Sequence, residues 1–329
     1  MLKNKQVLVT GAGGFIGSHL VEELVKGGNR VRAFIHYSSR SSWGNIETLP
    51  KEIKGEIEIF LGDITDPFSV KKAVQGSETV FHLAALIAIP YSYIAPQSYV
   101  NTNVNGTLNV MQACLDLSIE KVVHTSTSET YGTAVYTPID EKHPLQSQSP
   151  YSASKIGADM LVESYYRSFS LPVATIRPFN TYGPRQSARA VIPTIISQIL
   201  SGGRQVRLGS LTPVRDLNFV KDTVQGFLQV GASERSVGEV INIGFGKGIT
   251  IGDLAMTIID LIGKKVEIVC DQTRVRPEKS EVMELICNNA KAKRLIGWEP
   301  QYSLKAGLKE TIDFIEKNLQ LYKTDIYNV

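Results

Sequence analysis

Short apolar runs and amphipathic stretches alternate through the first 180 residues of the chain. The first pair is the apolar run QVLVTG at residues 6–11 and the amphipathic stretch SHLVEELVKGG at residues 18–28. The alternation continues to a sixth apolar run, PVATIRPFN, at residues 172–180. Apolar runs of this length predict buried strands, and strands that alternate with helices usually pair in parallel. We therefore predict an α/β fold with a parallel sheet and helices on both of its faces.

The alternating pattern becomes less regular after about residue 180. We predict a first domain over residues 1–180 and a smaller, mixed α/β domain over residues 181–329 that caps the sheet. Residues 216–245 contain the stretches DLNFVKDTVQGFLQVG and EVINIG, which we expect to return to the first domain.

Three glycines lie between the first predicted strand and the first predicted helix. Gly11, Gly14 and Gly17 have the spacing G-x-x-G-x-x-G within TGAGGFIG. Glycines at these positions permit a tight turn and let backbone N–H groups approach a pyrophosphate at the helix N-terminus. In this strand–turn–helix context the pattern predicts a dinucleotide site. We therefore predict a Rossmann-type doubly wound fold, with Phe15 and Ile16 also at the cofactor.

The residues after the second predicted strand, FIHYSSRSS, bear on which dinucleotide binds. An acidic residue there would hydrogen-bond a ribose 2′-hydroxyl, whereas a basic residue would accept a 2′-phosphate. No acidic residue occurs from Phe34 to Trp43, and Arg40 is present. This composition favours NADP, with Arg40 as the phosphate ligand. The alternative is that Arg40 faces solvent and that NAD binds.

Two further strand ends are expected beside the cofactor. Asp63, in GDIT, can hydrogen-bond an adenine amino group or cap the following turn, and Ile64 lies next to it. The stretch HLAA ends the fourth predicted strand. Its small residues would let a cofactor lie close to the backbone of Leu83, Ala84 and Ala85.

A tyrosine and a lysine share one face of the helix predicted over SPYSASKIGADMLVESYYRSF. Tyr151 and Lys155 are four residues apart, which is the spacing of neighbours on a helix surface. A lysine charge nearby would lower the tyrosine pKa from its usual value of about 10. Tyr151 could then act as general base on a substrate alcohol, with Thr127 hydrogen-bonded to the same oxygen. The alternative is an inert surface pair.

The overall composition excludes several classes of partner. The net charge is +3, from 35 basic and 32 acidic residues, so we expect no nucleic-acid or membrane partner. Cys114, Cys270 and Cys287 are scattered, which argues against a disulfide framework or a zinc site and fits the cytoplasm. We expect no secretory signal, membrane span or metal.

The chain resembles the extended short-chain dehydrogenases/reductases that act as nucleotide-sugar epimerases and dehydratases. The motifs that carry the resemblance are TGAGGFIG, GDITD, FHLAA, NVNGT, STSETYG, YSASK, RPFNTYGPR and RDLNFVKD. In this family, 4,6-dehydratases have an acid two residues after the threonine, whereas 4-epimerases usually have small or aliphatic residues. Thr127-Ser128-Glu129 is similar to the Thr-Ser-Glu form of GDP-mannose 4,6-dehydratase.

Two other stretches, VRAFIHYSSRSSWGN and GSLTPVRDLNF, look more like the dehydratases of legionaminic-acid and related pathways, which act on nucleotide-linked N-acetylglucosamine. The resemblance implies a nucleotide-sugar 4,6-dehydratase with a tightly bound cofactor that is regenerated in each cycle. The alternative is a nucleotide-sugar 4-epimerase. A non-catalytic regulator on the same scaffold would be expected to lack the tyrosine or the lysine.

The resemblance also implies roles for individual residues. Glu129 would remove the C5 proton of a 4-keto sugar, and Glu129 or Ser128 would deliver a proton to the departing water. The residues implied to bind the substrate diphosphate are Asn180, Arg185, Arg215 and Arg276. A homodimer paired through the helices near residues 95–115 and 151–168 is implied as well, although the apolar stripes of these helices could instead face their own sheet.

Overall fold

The computed structural model describes residues 2–324 and 326–327. Its strands are β1 Gln6–Thr10, β2 Arg30–His36, β3 Ile57–Gly62, β4 Thr79–His82, β5 Lys121–Thr125, β6 Val173–Pro178, β7 Thr181–Tyr182, β8 Gln205–Leu208, β9 Val214–Asp216, β10 Asn218–Phe219, β11 Val240–Ile243, β12 Gly248–Thr250, β13 Glu267–Cys270 and β14 Glu284–Leu285. Its α-helices are α1 Phe15–Lys26, α2 Lys51–Gly55, α3 Pro67–Val74, α4 Ile89–Ile94, α5 Pro96–Tyr99, α6 Gly106–Asp116, α7 Pro150–Phe169, α8 Val191–Leu200, α9 Val220–Ala232, α10 Ile251–Ile262, α11 Ala290–Ile296 and α12 Leu304–Lys317. Within these described residues, every helix is too short or too polar to cross a bilayer.

Seven strands form the central sheet in the order β11–β6–β5–β4–β1–β2–β3. All of the pairings in this sheet are parallel. The direction of strand addition reverses between β1 and β4, and ligands of open α/β sheets bind at such a switch point, beyond the carboxyl ends of the strands. The predicted Rossmann-type fold is therefore confirmed.

Both faces of the sheet are covered, as β1 shows. Val7 belongs to a core that includes Leu20 of α1 and Phe227 of α9. Its neighbour Leu8 belongs to a second core, which includes Val110 of α6. Successive strand side chains point to opposite faces, so a strand that is buried on both sides has a continuous apolar sequence.

The second half of the chain contributes to two regions. β11 pairs with β6 and so extends the central sheet. β9 lies between β12 and β14 in a separate three-stranded sheet, and β8 pairs with β13. The division into domains at residue 180 stays a prediction.

A buried carboxylate fixes the end of β9. Asp216 accepts hydrogen bonds from the backbone N–H groups of Phe245, Gly246 and Cys287, at 2.8, 2.7 and 3.0 Å. Burial nevertheless raises the pKa of Asp216 to about 6. These bonds hold β9 in place, and with it the preceding residue, Arg215.

The helical segment that follows α4 is divided into two α-helices. A π-helical turn over Val100–Asn105 separates α5 from α6. This turn carries the buried Asn103, which bonds to the backbone N–H and carbonyl of Leu86 and to the hydroxyl of Ser154, each at 2.9 Å. The side chain therefore ties the segment after β4 to α7, a link that helix periodicity does not reveal.

Candidate active site

The glycine-rich turn joins β1 to α1. Gly11 has φ +70°, and its carbonyl accepts a hydrogen bond from the Gly14 N–H at 3.0 Å. A Cβ on Gly17 would lie 2.2 Å from the Gly11 oxygen, so the turn needs glycine there. Gly14 precedes α1 and has no side chain to cap it, which leaves the N–H groups of Phe15, Ile16 and Gly17 for an outside acceptor. The turn therefore fits a dinucleotide pyrophosphate.

The stretch after β4 lies against this turn. A Cβ on Gly11 would lie 2.7 Å from the Ala84 nitrogen. Thr10 Oγ1 accepts hydrogen bonds from the N–H groups of Leu83 and Ala84, at 3.1 and 3.2 Å. The structure therefore brings the predicted contacts Leu83, Ala84 and Ala85 to the switch point between β1 and β4.

The two residues after β3 have different environments. Asp63 Oδ1 accepts hydrogen bonds from the N–H and the hydroxyl of Thr65, both at 2.8 Å, so this carboxylate caps the turn. Ile64 is buried and packs in the core against Gly106 at the start of α6. Turn capping is one of the two roles predicted for Asp63, and its contact with adenine stays a prediction.

Arg40 lies on the exposed loop that follows β2. The neighbouring His36 is exposed as well, with Nδ1 3.9 Å from a carboxylate oxygen of Asp63. An exposed arginine is compatible with either predicted cofactor, so the choice between NADP and NAD stays a prediction.

Tyr151 occupies the first turn of α7. This helix starts with a capping box, in which Ser149 Oγ accepts from the Ser152 N–H at 3.1 Å and Ser152 Oγ accepts from the Ser149 N–H at 3.0 Å. Tyr151 is 7% exposed, packs against the ring of Tyr99, and lies with its hydroxyl near the side chain of Thr127. The structure therefore brings Tyr151 and Thr127 together, and their shared contact with a substrate oxygen stays a prediction.

Burial governs the protonation of the tyrosine and the lysine. It raises the pKa of Tyr151 above its ordinary value; the nearby Thr127 side chain opposes this shift, and the Glu129 charge adds to it. Burial also lowers the pKa of Lys155 to about 8, and its amine donates to the Thr125 carbonyl at 2.7 Å. The expected lowering of the tyrosine pKa by the lysine does not occur here, because a dry site disfavours both charges.

A charged network lies beneath Lys155. Asp159, one turn further along α7, accepts from His124 Nε2 at 3.0 Å, Ser126 Oγ at 2.5 Å and Arg177 Nη2 at 2.8 Å. Burial alone would raise the pKa of Asp159, but the His124 hydrogen bond and the Arg177 charge hold it well below its usual range. The sequence analysis missed this group, although the i, i+4 spacing from Lys155 is a signal for it.

The Thr127-Ser128-Glu129 segment follows β5 as a short 3₁₀ turn. Thr127 Oγ1 accepts from the Glu129 N–H at 3.2 Å, and Ser128 is buried. The Glu129 side chain is half-buried, and its charge acts to raise the pKa of both Tyr151 and Arg215. This carboxylate is therefore close enough to act electrostatically on both the tyrosine and the predicted phosphate ligand.

Arg215 and Arg276 meet at one carboxylate. Glu281 Oε1 lies 3.1 Å from Arg215 Nη2 and 3.4 Å from Arg276 Nη1. Nearer the sheet, the buried Oδ1 of Asn180 has no hydrogen-bond partner among the residues that the structure describes. The sequence analysis missed Glu281, because no local spacing links it to either arginine.

Arg185 lies elsewhere. Its Nη2 is 2.6 Å from Glu22 Oε2 on α1, and its side chain is 11% exposed. The ion pair directs this guanidinium to α1 rather than to the pair formed by Arg215 and Arg276. We therefore do not include Arg185 among the diphosphate ligands proposed below, in contrast to the expectation from the sequence.

Residues 8–311 match the family model described as GDP-mannose 4,6 dehydratase. The chain belongs to this family. The predicted resemblance to nucleotide-sugar dehydratases of the extended short-chain dehydrogenase/reductase type is therefore confirmed.

The relatives and structural neighbours of this chain include both 4,6-dehydratases and 4-epimerases. A dTDP-glucose 4,6-dehydratase of Streptomyces antibioticus is 33% identical over 316 residues, 95% of this chain and 92% of that protein. The structure of a dTDP-glucose 4,6-dehydratase from Streptomyces venezuelae, with NAD bound, superposes with a TM-score of 0.85 at 29% identity, covering 97% and 99% of the two chains. A UDP-N-acetylglucosamine 4-epimerase from Methanobrevibacter ruminantium superposes with a TM-score of 0.87 at 30% identity, covering 96% and 100%.

Proposed function

We propose that this chain is a nucleotide-sugar 4,6-dehydratase, which converts a nucleoside-diphosphate hexose to the 4-keto-6-deoxy sugar and water. The observation that carries the proposal is the position of Glu129, half-buried after β5 and electrostatically coupled to Tyr151. N-acetylglucosamine is our preferred sugar, and the N-acetylglucosamine epimerase among the structural neighbours supports it.

The cofactor of the proposed reaction is a nicotinamide dinucleotide. When bound, it supplies a reversible hydride acceptor, which is regenerated in each cycle. The N–H groups at the start of α1 would hold its pyrophosphate, and Leu83, Ala84 and Ala85 would line its path across the switch point. The NAD of the Streptomyces venezuelae structure supports this class of cofactor, and Arg40 is our reason to favour NADP.

Oxidation at C4 requires removal of the proton from the 4-hydroxyl. We assign this proton transfer to Tyr151, with Thr127 hydrogen-bonded to the same oxygen. Because burial raises the tyrosine pKa, the ionised fraction is small at neutral pH and grows as pH rises.

Elimination requires a second base. Once C4 is a ketone, the C5 proton is acidic, and we assign its removal to Glu129. The C6–O bond then breaks, and the hydroxyl leaves as water after taking a proton from Glu129 or through the buried Ser128. C6 then takes back the hydride that C4 lost and C5 takes up a proton, which gives the 4-keto-6-deoxy sugar. A positioned acid/base of this kind typically contributes about 10²–10⁴-fold to the rate.

The decisive test uses a panel of UDP-, GDP- and dTDP-linked hexoses, with products identified by mass spectrometry. The wild-type protein should form a product that has lost one water. Glu129→Gln should nearly abolish this product while reduced nicotinamide still forms in a single turnover. Glu52→Gln, an exposed carboxylate of α2, is the matched control and should react normally. Normal dehydration by Glu129→Gln would show that the role assigned to Glu129 is wrong.

The second candidate is a nucleotide-sugar 4-epimerase, which needs Tyr151 and Lys155 but no C5 base. The similarity to the Methanobrevibacter ruminantium epimerase favours this candidate. The same panel separates the two activities, because epimerisation gives an isomer of unchanged mass.

The substrate diphosphate of the proposed reaction needs cationic and amide ligands. Asn180, Arg215 and Arg276 are the proposed ligands of the diphosphate, because a guanidinium fork can bind two phosphate oxygens.

Leu108 of α6 and Met160 of α7 are exposed apolar residues on the helices for which pairing is predicted. A homodimer and a cytoplasmic location stay predictions; size-exclusion chromatography with light scattering tests the first.

A further inference from the structure

One carboxylate oxygen joins the two arginines of the proposed diphosphate site. Glu281 Oε1 lies 3.1 Å from Arg215 Nη2 and 3.4 Å from Arg276 Nη1. Both distances exceed the value of about 2.7–2.9 Å that is typical of strong guanidinium–carboxylate bonds. Each guanidinium carries five N–H donors, and the contacts to Glu281 use only some of them. The two arginines therefore converge on Glu281 and retain donors for a second anion.

Electrostatics explain why the two arginines need a shared partner. Burial and the Arg276 charge lower the pKa of Arg215, whereas the charges of Glu129 and Glu281 act to raise it. Two guanidinium groups held this close repel each other. The Glu281 carboxylate offsets that repulsion and keeps the pair together before any substrate binds.

The segment that carries Glu281 also contacts residues near the start of α7. The preceding residue, Ser280, donates through Oγ to the Gln148 carbonyl at 2.5 Å and lies 2.6 Å from the Tyr93 hydroxyl. Gln148 comes shortly before Tyr151, the first tyrosine of α7. The position of the arginine pair is therefore linked through Glu281 to the start of the catalytic helix.

We propose that Glu281 is a positioning residue for the substrate diphosphate, holding Arg215 and Arg276 in the orientation in which both reach the phosphates. The inference rests on the proposed function, which places a nucleoside diphosphate at this pair. Glu281 acts through the arginines, because its own charge repels a phosphate.

The test measures binding of UDP, GDP and dTDP to the full-length, cofactor-saturated protein by isothermal titration calorimetry. Glu281→Gln should weaken binding of the preferred diphosphate by about tenfold and raise KM similarly, with kcat changed by less than about twofold. Glu281→Asp keeps the charge and should recover part of the affinity. Glu278→Gln is the matched control, since Glu278 is exposed in the same short turn and should bind normally.

A second variant, Arg276→Met, distinguishes a failure of the role of Glu281 from a failure of the proposed function. If Arg276→Met binds weakly but Glu281→Gln binds as tightly as wild type or more tightly, the positioning role is overturned and the proposed function stands. If Arg276→Met also binds normally, the diphosphate does not sit at this pair, and the substrate site of the proposed function fails together with the role of Glu281.

Discussion

The two ends of the proposed substrate cleft are constructed differently. At the redox end, Tyr151 and Lys155 are 7% and 4% exposed and lie one turn apart on a single helix. At the phosphate end, the Arg276 side chain is 28% exposed, and it shares the Glu281 carboxylate with Arg215, which comes from a distant segment. Buried charged side chains must be paired for the chain to fold. Removing a partly exposed charged side chain has little effect on the free energy of unfolding.

The largest expected effect lies at the redox end. Tyr151→Phe removes only the hydroxyl to which we assign the C4 proton transfer, so we expect kcat to fall by about 10²–10⁴-fold while the fold is kept. Steady-state product formation and a thermal melt measure the two quantities. A loss of only a few-fold would mean that another group accepts the C4 hydroxyl proton.

The second prediction compares the stability of the two ends. Arg177→Met leaves Asp159 buried without its cationic partner, so the free energy of unfolding should fall by about 3–5 kcal/mol. Arg276→Met, at the partly exposed end, should lower it by less than about 1 kcal/mol. Urea denaturation followed by circular dichroism provides both values. Equal losses of unfolding free energy in the two variants would contradict the proposed difference between the buried end and the partly exposed end.

The same difference between the two ends explains which features could be predicted from the sequence and which could not. The alternation of strands and helices and the glycine turn follow from local patterns, because buried strands and tight turns impose their residue types directly. Tyr151 and Lys155 share a helix face, so spacing alone pairs them. The contact between Arg215 and Glu281 joins residues 66 positions apart, and no periodicity encodes such a pairing. Arg185 illustrates the same limit, since its ion pair with Glu22 on α1 depends on the tertiary fold.

The third prediction concerns how catalysis divides between the two ends. Arg276→Met should raise KM for the nucleotide sugar by about tenfold and change kcat by less than about twofold, because this contact is made equally in the ground state and the transition state. Tyr151→Phe should show the opposite pattern. Initial rates over a range of substrate concentrations measure both parameters. A fall in kcat with unchanged KM in Arg276→Met would place Arg276 in the chemical step instead.

The smallest expected effect is a pH dependence of stability that belongs to the redox end. Burial lowers the pKa of Lys155 to about 8 in the folded chain, from 10.5 when unperturbed. Between these two values the unfolded chain binds more protons than the folded chain, so the contribution of Lys155 to stability rises with pH. Below about pH 8 the ammonium is charged in both states, and its full burial cost remains.

Lys155→Met should therefore remove part of the pH dependence. The difference in unfolding free energy between the wild-type and Lys155→Met proteins should shift in favour of the wild type by up to about 1 kcal/mol from pH 8 to pH 9. Lys264→Met, outside the redox end, is the control and should show no such shift. If the difference stayed constant over this range, Lys155 would keep its ordinary pKa, and the redox end would be wetter than its packing indicates.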